Sequence, residues 1–260
     1  NTMDRDMSGT SYFSWLPWRT LYMFVKGAND AIKTFKSMSE PSDENKNYAA
    51  MAYAYRAYDY YMLTILFEPV ANKYTDCSKV LGLTVPIITE ETTEEEAANN
   101  PRATHDKMIE FILSDLDAAE KIFTETDYKG KDRTAPSLAV VYGLKAKTYM
   151  WDQKYDKALE YAEKAIKTAE ANGAAMMTKQ ELTSPTSAFA TATSGWLWYS
   201  HYSAENMGNL CNYTGWISGE ADWGYSSLTC PGIDKSLYDK MGINDYRRKQ
   251  SDSHNRACGN

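Results

Sequence analysis

The sequence predicts an all-α fold in which tetratricopeptide-like helical hairpins are followed by an irregular, loop-rich aromatic lobe. Three observations predict it. Five stretches carry apolar residues at spacings of three and four, two of these stretches form a hairpin-like pair, and the segment after Gly173 loses helical periodicity. With 260 residues, the chain is long enough to bury a substantial core.

The first three helical stretches each carry one apolar stripe that must pack against a neighbour. The stripes run from Trp18 to Phe35, from Ala50 to Ile65 and from Met108 to Phe123. Thr104 stands where the N-cap of the third helix is expected, because its hydroxyl can accept a hydrogen bond from a free backbone N–H.

The fourth and fifth stretches predict a helical hairpin. Pro136 suits the first turn of the fourth helix, which ends near Trp151, and Gly173 suits the C-terminal cap of the fifth. Small residues at Ala146, Ala158 and Ala165 would let two antiparallel helices approach closely, as in tetratricopeptide hairpins. One hairpin cannot bury its own apolar face, so we expect neighbours in a degenerate array.

Composition divides the chain, taken as a single domain over 1–260, into a helical scaffold at 15–172 and a loop-rich lobe at 173–260. Two long loops interrupt the scaffold, at 68–101 and 128–135. The acidic run Glu94–Glu96 within the first loop is expected to be solvated and mobile.

Charge and motif content exclude several functions. Lys and Arg number 28 against 35 Asp and Glu, and a net charge of −7 does not provide the basic face that nucleic acid requires. The sequence contains no run of 18 uncharged apolar residues, which is about the length that a membrane-spanning helix needs. Neither zinc-type Cys and His spacing nor a calcium-type D-x-D-x-D loop occurs, so neither metal nor cofactor is expected. A Cys211–Cys230 disulfide is left open.

Five segments carry motifs in a recognisable order. They are Trp18–Ile32 with its Ala28-Asn29 pair, Ala54–Ala57 followed by Phe67-Glu68-Pro69-Val70, Ile112–Ala119, Asp132–Thr134 leading into Pro136–Tyr149, and Asp239–Arg247. Together they resemble the SusD/RagB family, the cell-surface nutrient-binding lipoproteins of Bacteroidetes. The family commonly has Gly where this chain has Glu68. Its members are about twice as long and begin with a lipidated Cys, so this chain is expected to be a fragment.

The resemblance implies binding without catalysis. It implies that an oligosaccharide is captured at the outer surface and delivered to a SusC-like TonB-dependent outer-membrane transporter. It also implies a surface-exposed lipoprotein of the outer membrane, held by a lipid anchor that lies outside this chain.

Candidate ligand-binding residues lie in loops. A sugar ring has an apolar face and a hydroxyl rim, so it stacks on Tyr or Trp while polar side chains bind the rim. The candidates in the aromatic lobe are Tyr213, Trp216, Asp222, Trp223 and Tyr225. The resemblance places part of the binding surface of some members on the loop after the second helix, which holds Asn72 and Tyr74. The alternative for the lobe is that its rings pack onto the helices.

Four other positions are expected to be structural. Trp196 and Trp198 alternate around Leu197 as residues of a strand or of the core do, so we expect them to pack inside the protein. Arg56 is expected to be buried and paired with a carboxylate or stacked on Tyr, and Asn29 to be a buried amide bonded to a neighbouring backbone.

Two other functions compete with oligosaccharide binding. A helical glycoside hydrolase needs two carboxylates about 5–10 Å apart, and Glu205, Glu220 and Asp222 could supply them. A peptide-binding member of the same family is the second, because aromatic grooves serve peptides and glycans alike. No Ser-His-Asp arrangement can be identified, so no catalytic residue is assigned. The family resemblance implies that the chain is not an enzyme.

Overall fold

A computed structural model of the chain describes residues 11–130, 133–184, 191–200, 234–245 and 248, and it confirms the predicted all-α fold. The helices are α1 (Tyr12–Lys36), α2 (Asp43–Phe67), α3 (Glu94–Ala98), α4 (His105–Glu125), α5 (Leu138–Trp151), α6 (Tyr155–Ala171), α7 (Lys179–Leu182) and α8 (Lys235–Tyr238). Among the described residues, β structure is limited to one isolated antiparallel bridge between Leu83 and Thr104. None of the described helices has the length and hydrophobicity that a membrane-spanning segment needs.

The capping residues predict where the helices begin better than the apolar stripes do. Ser11, Ser42 and Thr104 cap α1, α2 and α4 by accepting a backbone N–H, which confirms the predicted Thr104 cap. Helix α1 therefore begins six residues before the predicted stripe. Pro17 lies inside it, in the second turn, where its missing N–H removes one hydrogen bond without ending the helix.

Helix α2 is the central helix of the scaffold and packs between α1 and α4. Ala50, Ala54 and Ala57 are buried, and their small side chains let the neighbouring helices come close. Tyr60 and Leu63 fill the core towards the C-terminal end of α2. The other helices contribute Val25 from α1, Met108, Ile112, Leu116 and Phe123 from α4, and Val141 and Leu144 from α5.

The first long loop contains an ordered segment, residues 83–90, which we call the strap. Side chains bind its backbone carbonyls: Arg102 binds Thr84 (2.6 Å), Tyr22 binds Pro86 (2.6 Å), Asn100 binds Ile87 (2.6 Å), and Asn29 and Tyr60 both bind Ile88 (3.0 Å each). The acidic run Glu94–Glu96 is exposed, as expected, but it forms the start of helix α3. A Thr93–Glu96 capping box begins that helix.

Helices α5 and α6 form the predicted hairpin. The prediction that Pro136 lies in the first turn of this helix is wrong. Ser137 is the N-cap and α5 begins at Leu138, so Pro136 precedes the helix by two positions. Gly173 follows the C-cap of α6 with a φ of +80°, and this left-handed conformation suits glycine. The N–H of the next residue then reaches the Ala169 carbonyl at 2.9 Å, which closes a Schellman-type end.

The chain divides into two compact units. The first comprises residues 1–175 with 196–199, and it holds helices α1 to α6. The second comprises residues 176–195 and 200–260, and its described helices, α7 and α8, have four residues each. The predicted division into a scaffold at 15–172 and a lobe at 173–260 stays a prediction.

Candidate functional site

Two of the seven predicted ligand-binding residues lie in the described part of the chain. Asn72 and Tyr74 are both on the loop that follows α2. The other five lie outside the described residues, and so do all three acids that a hydrolase could use, since Asp222 belongs to both sets. Their roles stay predictions. The residues concerned are Tyr213, Trp216, Asp222, Trp223, Tyr225, Glu205 and Glu220.

Asn72 shapes the loop. Its Oδ1 accepts hydrogen bonds from the backbone N–H groups of Tyr74 (2.9 Å) and Thr75 (3.0 Å), and its Nδ2 donates to the Val70 carbonyl at 3.1 Å. This is an Asx turn, in which the side chain replaces backbone partners. The amide of Asn72 therefore holds the turn that presents the next two residues.

Tyr74 projects from that turn with 84% of its surface exposed. The Nζ of Lys73 lies 5.0 Å from the centre of its ring, and Asp76 follows two residues later. Hydrogen bonds from Ser78 lower the pKa of Asp76, so this carboxylate stays ionised. The loop thus offers a flat aromatic face with a cation and an anion close to it in sequence, which are the elements of a sugar-stacking site.

The base of the loop is fixed by two other helices. Glu68, the C-cap of α2, places one carboxylate oxygen 2.8 Å from Nδ1 of His105 at the start of α4. Its other oxygen accepts a hydrogen bond from Nε1 of Trp151 at 3.0 Å, at the end of α5. Sequence reasoning missed this junction and treated Glu68 only as a departure from a family glycine. The three residues are 37 and 83 positions apart along the chain, and no local pattern links them.

Arg56 and Asn29 have the structural roles predicted for them. The guanidinium of Arg56 makes two hydrogen bonds with Asp115, each 2.7 Å long, and is buried. Asn29 donates to the Ile88 carbonyl at 3.0 Å and accepts from Arg56 at 2.7 Å. Both residues therefore join α1, α2, α4 and the strap.

Trp198 packs against the core, as predicted. Its ring makes edge contacts with Tyr55 and Tyr58 of α2, with centroids 5.4 and 4.9 Å apart. Its indole N–H points to the Thr134 carbonyl at 3.3 Å. Trp196 is partly buried and makes an edge contact with Tyr199 at 5.5 Å.

A groove of about 490 Å³ between α4 and α5 is a weaker candidate. Its lining includes Asp106, Glu110, Asp117, Tyr149 and Lys154. The ring of Tyr149 is stacked on Tyr161, with centroids 5.5 Å apart, so this aromatic face is already in use. Across the described residues, no cluster of His, Cys, Asp and Glu side chains has the arrangement of a metal site. The exposed ring on the loop after α2 suits a sugar better.

Comparison with protein families identifies the family of this chain. Residues 4–150, more than half of the chain, match the SusD-like family model described as "starch-binding associating with outer membrane". Among curated proteins, no sequence matches this chain significantly.

Solved structures have a similar fold. A SusD-like carbohydrate-binding protein from Bacteroides vulgatus ATCC 8482 superposes with a TM-score of 0.73 at 18% identity, over 93% of this chain and 48% of its own. A SusD superfamily protein from Bacteroides thetaiotaomicron VPI-5482 gives 0.51 at 25% identity, over 64% of this chain and 34% of its own. A SusD-like carbohydrate-binding protein from Bacteroides fragilis NCTC 9343 gives a TM-score of 0.53 at 18% identity, over 67% of this chain and 31% of its own. The chain therefore spans half or less of the length of these structures.

Proposed function

Because this chain belongs to the SusD-like family, described as starch-binding and associated with the outer membrane, we propose that it binds oligosaccharide and does not cleave it. The match of residues 4–150 carries this proposal. The chemistry of the loop after α2 supports it, since a preformed turn presents an exposed tyrosine ring next to ionised side chains.

We further propose that the bound glycan is passed to a TonB-dependent transporter of the SusC type in the outer membrane. The family description supports a location at that membrane. A binding protein that hands its ligand to a transporter must also release it readily. We therefore expect weak binding, with a Kd roughly between micromolar and millimolar, equivalent to about −8 to −4 kcal/mol.

The function is tested by titrating the full chain with soluble glycans in a calorimeter. Starch-derived maltooligosaccharides are the first ligands to test because the family description names starch. Laminarioligosaccharides, xylooligosaccharides and a set of short peptides complete the panel. Heat from a glycan and none from the peptides supports the proposal. Heat from peptides alone, or release of reducing ends during incubation, contradicts it.

Tyr74→Ala tests the contribution of the loop. We expect roughly 5- to 10-fold weaker glycan binding, because one stacked ring contributes about 1 kcal/mol. Tyr48→Ala is the matched control, since Tyr48 is also exposed, at 58%, but lies in the second turn of α2. Equal losses in the two variants would exclude a specific role for Tyr74.

Trp216→Ala combined with Trp223→Ala tests the lobe. We expect this double variant to lose glycan binding while its melting temperature stays nearly unchanged. If the melting temperature falls sharply instead, these rings belong to the core and do not bind ligand.

A further inference from the structure

Helix α6 carries two apolar stripes, and only one of them is buried. Ala158, Ala165 and Ala169 are buried in the hairpin with α5, the helix against which α6 mainly packs. The second stripe, which we call the outer seam, lies on the adjoining face and consists of Tyr155, Leu159, Ala162 and Ile166.

The outer seam is open to solvent. Tyr155 is 65% exposed, Leu159 61% and Ile166 59%, and Ala162 is partly buried between them. These residues are spaced by four, three and four positions, which is the spacing of a helix that packs against another helix. The seam covers about 16 Å of helix, since each residue adds about 1.5 Å.

A row of carboxylates borders the seam on its solvent side. Asp156, Glu163 and Glu170 repeat every seven residues, so they lie in line along the helix, next to the apolar stripe. All three are exposed, and none forms an ion pair with another described residue. We call them the acidic row.

The cations of α6 do not neutralise the acidic row. Lys157 and Lys164 both pair with Glu160, at 2.9 and 2.8 Å, on the far side of the helix. Lys167 lies beyond the acidic row and is not within ion-pair distance of any described carboxylate. The seam therefore combines an apolar surface with one negative border.

We propose that the outer seam binds an amphipathic helix of a partner protein, in which an apolar seam is flanked by Lys or Arg. The spacing of the seam fits a helix, and the acidic row selects a basic border on it. None of the residues of the outer seam or the acidic row is among those proposed for glycan binding.

A second copy docking through the same face does not fit this charge pattern. In an antiparallel pair of α6 helices, the two acidic rows would face each other and repel. In a parallel pair, each row would face the buried alanine side of its partner, which carries no cation. The charge pattern thus favours a different chain.

The test uses two synthetic peptides with the same leucine seam, one flanked by Lys and the other by Glu. Both are labelled and titrated with the full chain, and fluorescence anisotropy is measured. We expect the Lys-flanked peptide to bind at least 10-fold more tightly than the Glu-flanked one, and the difference to shrink as salt is added.

Two variants separate the apolar and the charged contributions. Leu159→Ser with Ile166→Ser should weaken binding of the Lys-flanked peptide at least 10-fold. Glu163→Lys with Glu170→Lys should reverse the preference between the two peptides. Because the second pair changes only exposed positions, it decides the question even if the first pair impairs folding.

The control is Met23→Ser with Phe24→Ser on α1, where the side chains are 58% and 52% exposed. We expect this variant to bind the Lys-flanked peptide as the unmodified chain does. Equal affinity for both peptides, or loss of binding in the α1 variant, would overturn the proposal. Self-association in sedimentation experiments that disappears in the seam variant, without peptide binding, would instead assign the seam to a second copy.

Discussion

Arg56 and Asp59 are one helical turn apart on α2, and each is only 3% exposed, yet their surroundings are opposite. Arg56 has partners from three other segments: Asn29 of α1, Glu90 of the strap and Asp115 of α4. The Oδ2 of Asp59 has no hydrogen-bond partner. The same helix thus buries one charge that is fully paired and one group that is not.

The two pKa values reflect this difference. Burial alone would lower the pKa of Arg56, but its hydrogen bonds and ion pairs with Asp115 and Glu90 outweigh burial and raise it. Burial raises the pKa of Asp59 from 3.8 to about 7, and no partner opposes the shift. Removing one partner of a paired buried charge leaves the other uncompensated, whereas an unpaired buried carboxylate already carries the cost of its own burial.

The largest effect is expected when the paired cation is removed. Arg56→Met leaves Asp115 buried without its ion-pair partner and removes one of the two cations at Glu90, and such a change costs about 3–5 kcal/mol of unfolding free energy. Urea unfolding at pH 7 measures it. The exposed Arg19 is the matched control, and Arg19→Met should change stability by less than about 0.5 kcal/mol.

Adding Asp115→Leu to Arg56→Met sharpens this test. If unpaired charge is the cause of the loss, the double variant should regain part of the stability that the single variant loses. A double variant that is less stable than Arg56→Met alone would show that the packing of these side chains matters more than their charge.

The unpaired carboxylate of Asp59 should make the folded chain less stable as the pH rises. Since the folded pKa of Asp59 lies above the unfolded value, the folded chain binds a proton between pH 4 and 7 that the unfolded chain releases. Stability therefore falls as the pH rises through this window, by up to about 4 kcal/mol. Asp59→Asn should remove this loss, so that the variant exceeds the unmodified chain in stability at pH 8 but not at pH 4.

Unfolding free energies of both chains at pH 4, 6 and 8 test this prediction. Asp115→Asn serves as the comparison, because that carboxylate is paired with Arg56 and its replacement should be destabilising at pH 8. Parallel pH profiles for Asp59→Asn and the unmodified chain would contradict the assignment.

Glu90 of the strap gives a third test at acid pH. Burial acts to raise its pKa, but hydrogen bonds from Lys36 and Arg56 outweigh burial and lower the pKa from 4.5 to about 2. Glu90 therefore contributes stability above pH 4.5 that is lost as the pH falls towards 2. Glu90→Gln should cost up to about 3 kcal/mol at pH 7, and the difference should shrink below pH 3, as acid titration followed by circular dichroism would show.

The smallest effect is expected for an ion pair on the surface. Lys26 and Asp30 lie 2.6 Å apart on α1, with side chains 75% and 64% exposed. Lys26→Ala should change the free energy of unfolding by no more than about 0.5 kcal/mol, because water already screens the pair. A loss as large as that of Arg56→Met would mean that burial does not separate the two classes of charge.

The sequence predicts the main helices but not most of the contacts between them. Helical spacing and caps such as Thr104 are local features, so the five main helices could be placed from the sequence. The strap has no periodicity of its own, and its order comes from side chains on α1, on α2 and in the segment before α4. The role of Arg56 was predicted, but the sequence does not distinguish its surroundings from those of Asp59.

The candidate site also has one part that could be predicted from the sequence and one part that depends on tertiary contacts. Tyr74 is exposed as a ligand-stacking residue must be, and the family resemblance pointed to the loop that carries it. The junction of Glu68, His105 and Trp151 depends on how the ends of three helices meet. Helical periodicity in the fifth stretch predicted helix α6, but which face of that helix stays open depends on where α5 packs.

Glu90 is held through its side chain, but the strap from Thr84 to Ile88 is held through carbonyl oxygens, which every amino acid has. Tyr22, Asn29, Tyr60, Asn100 and Arg102 therefore bind a path of main chain rather than particular strap side chains. Residues such as Pro86 and Ile87 could be exchanged during evolution while the route across the helices is preserved, so that this region can diverge in sequence faster than in shape.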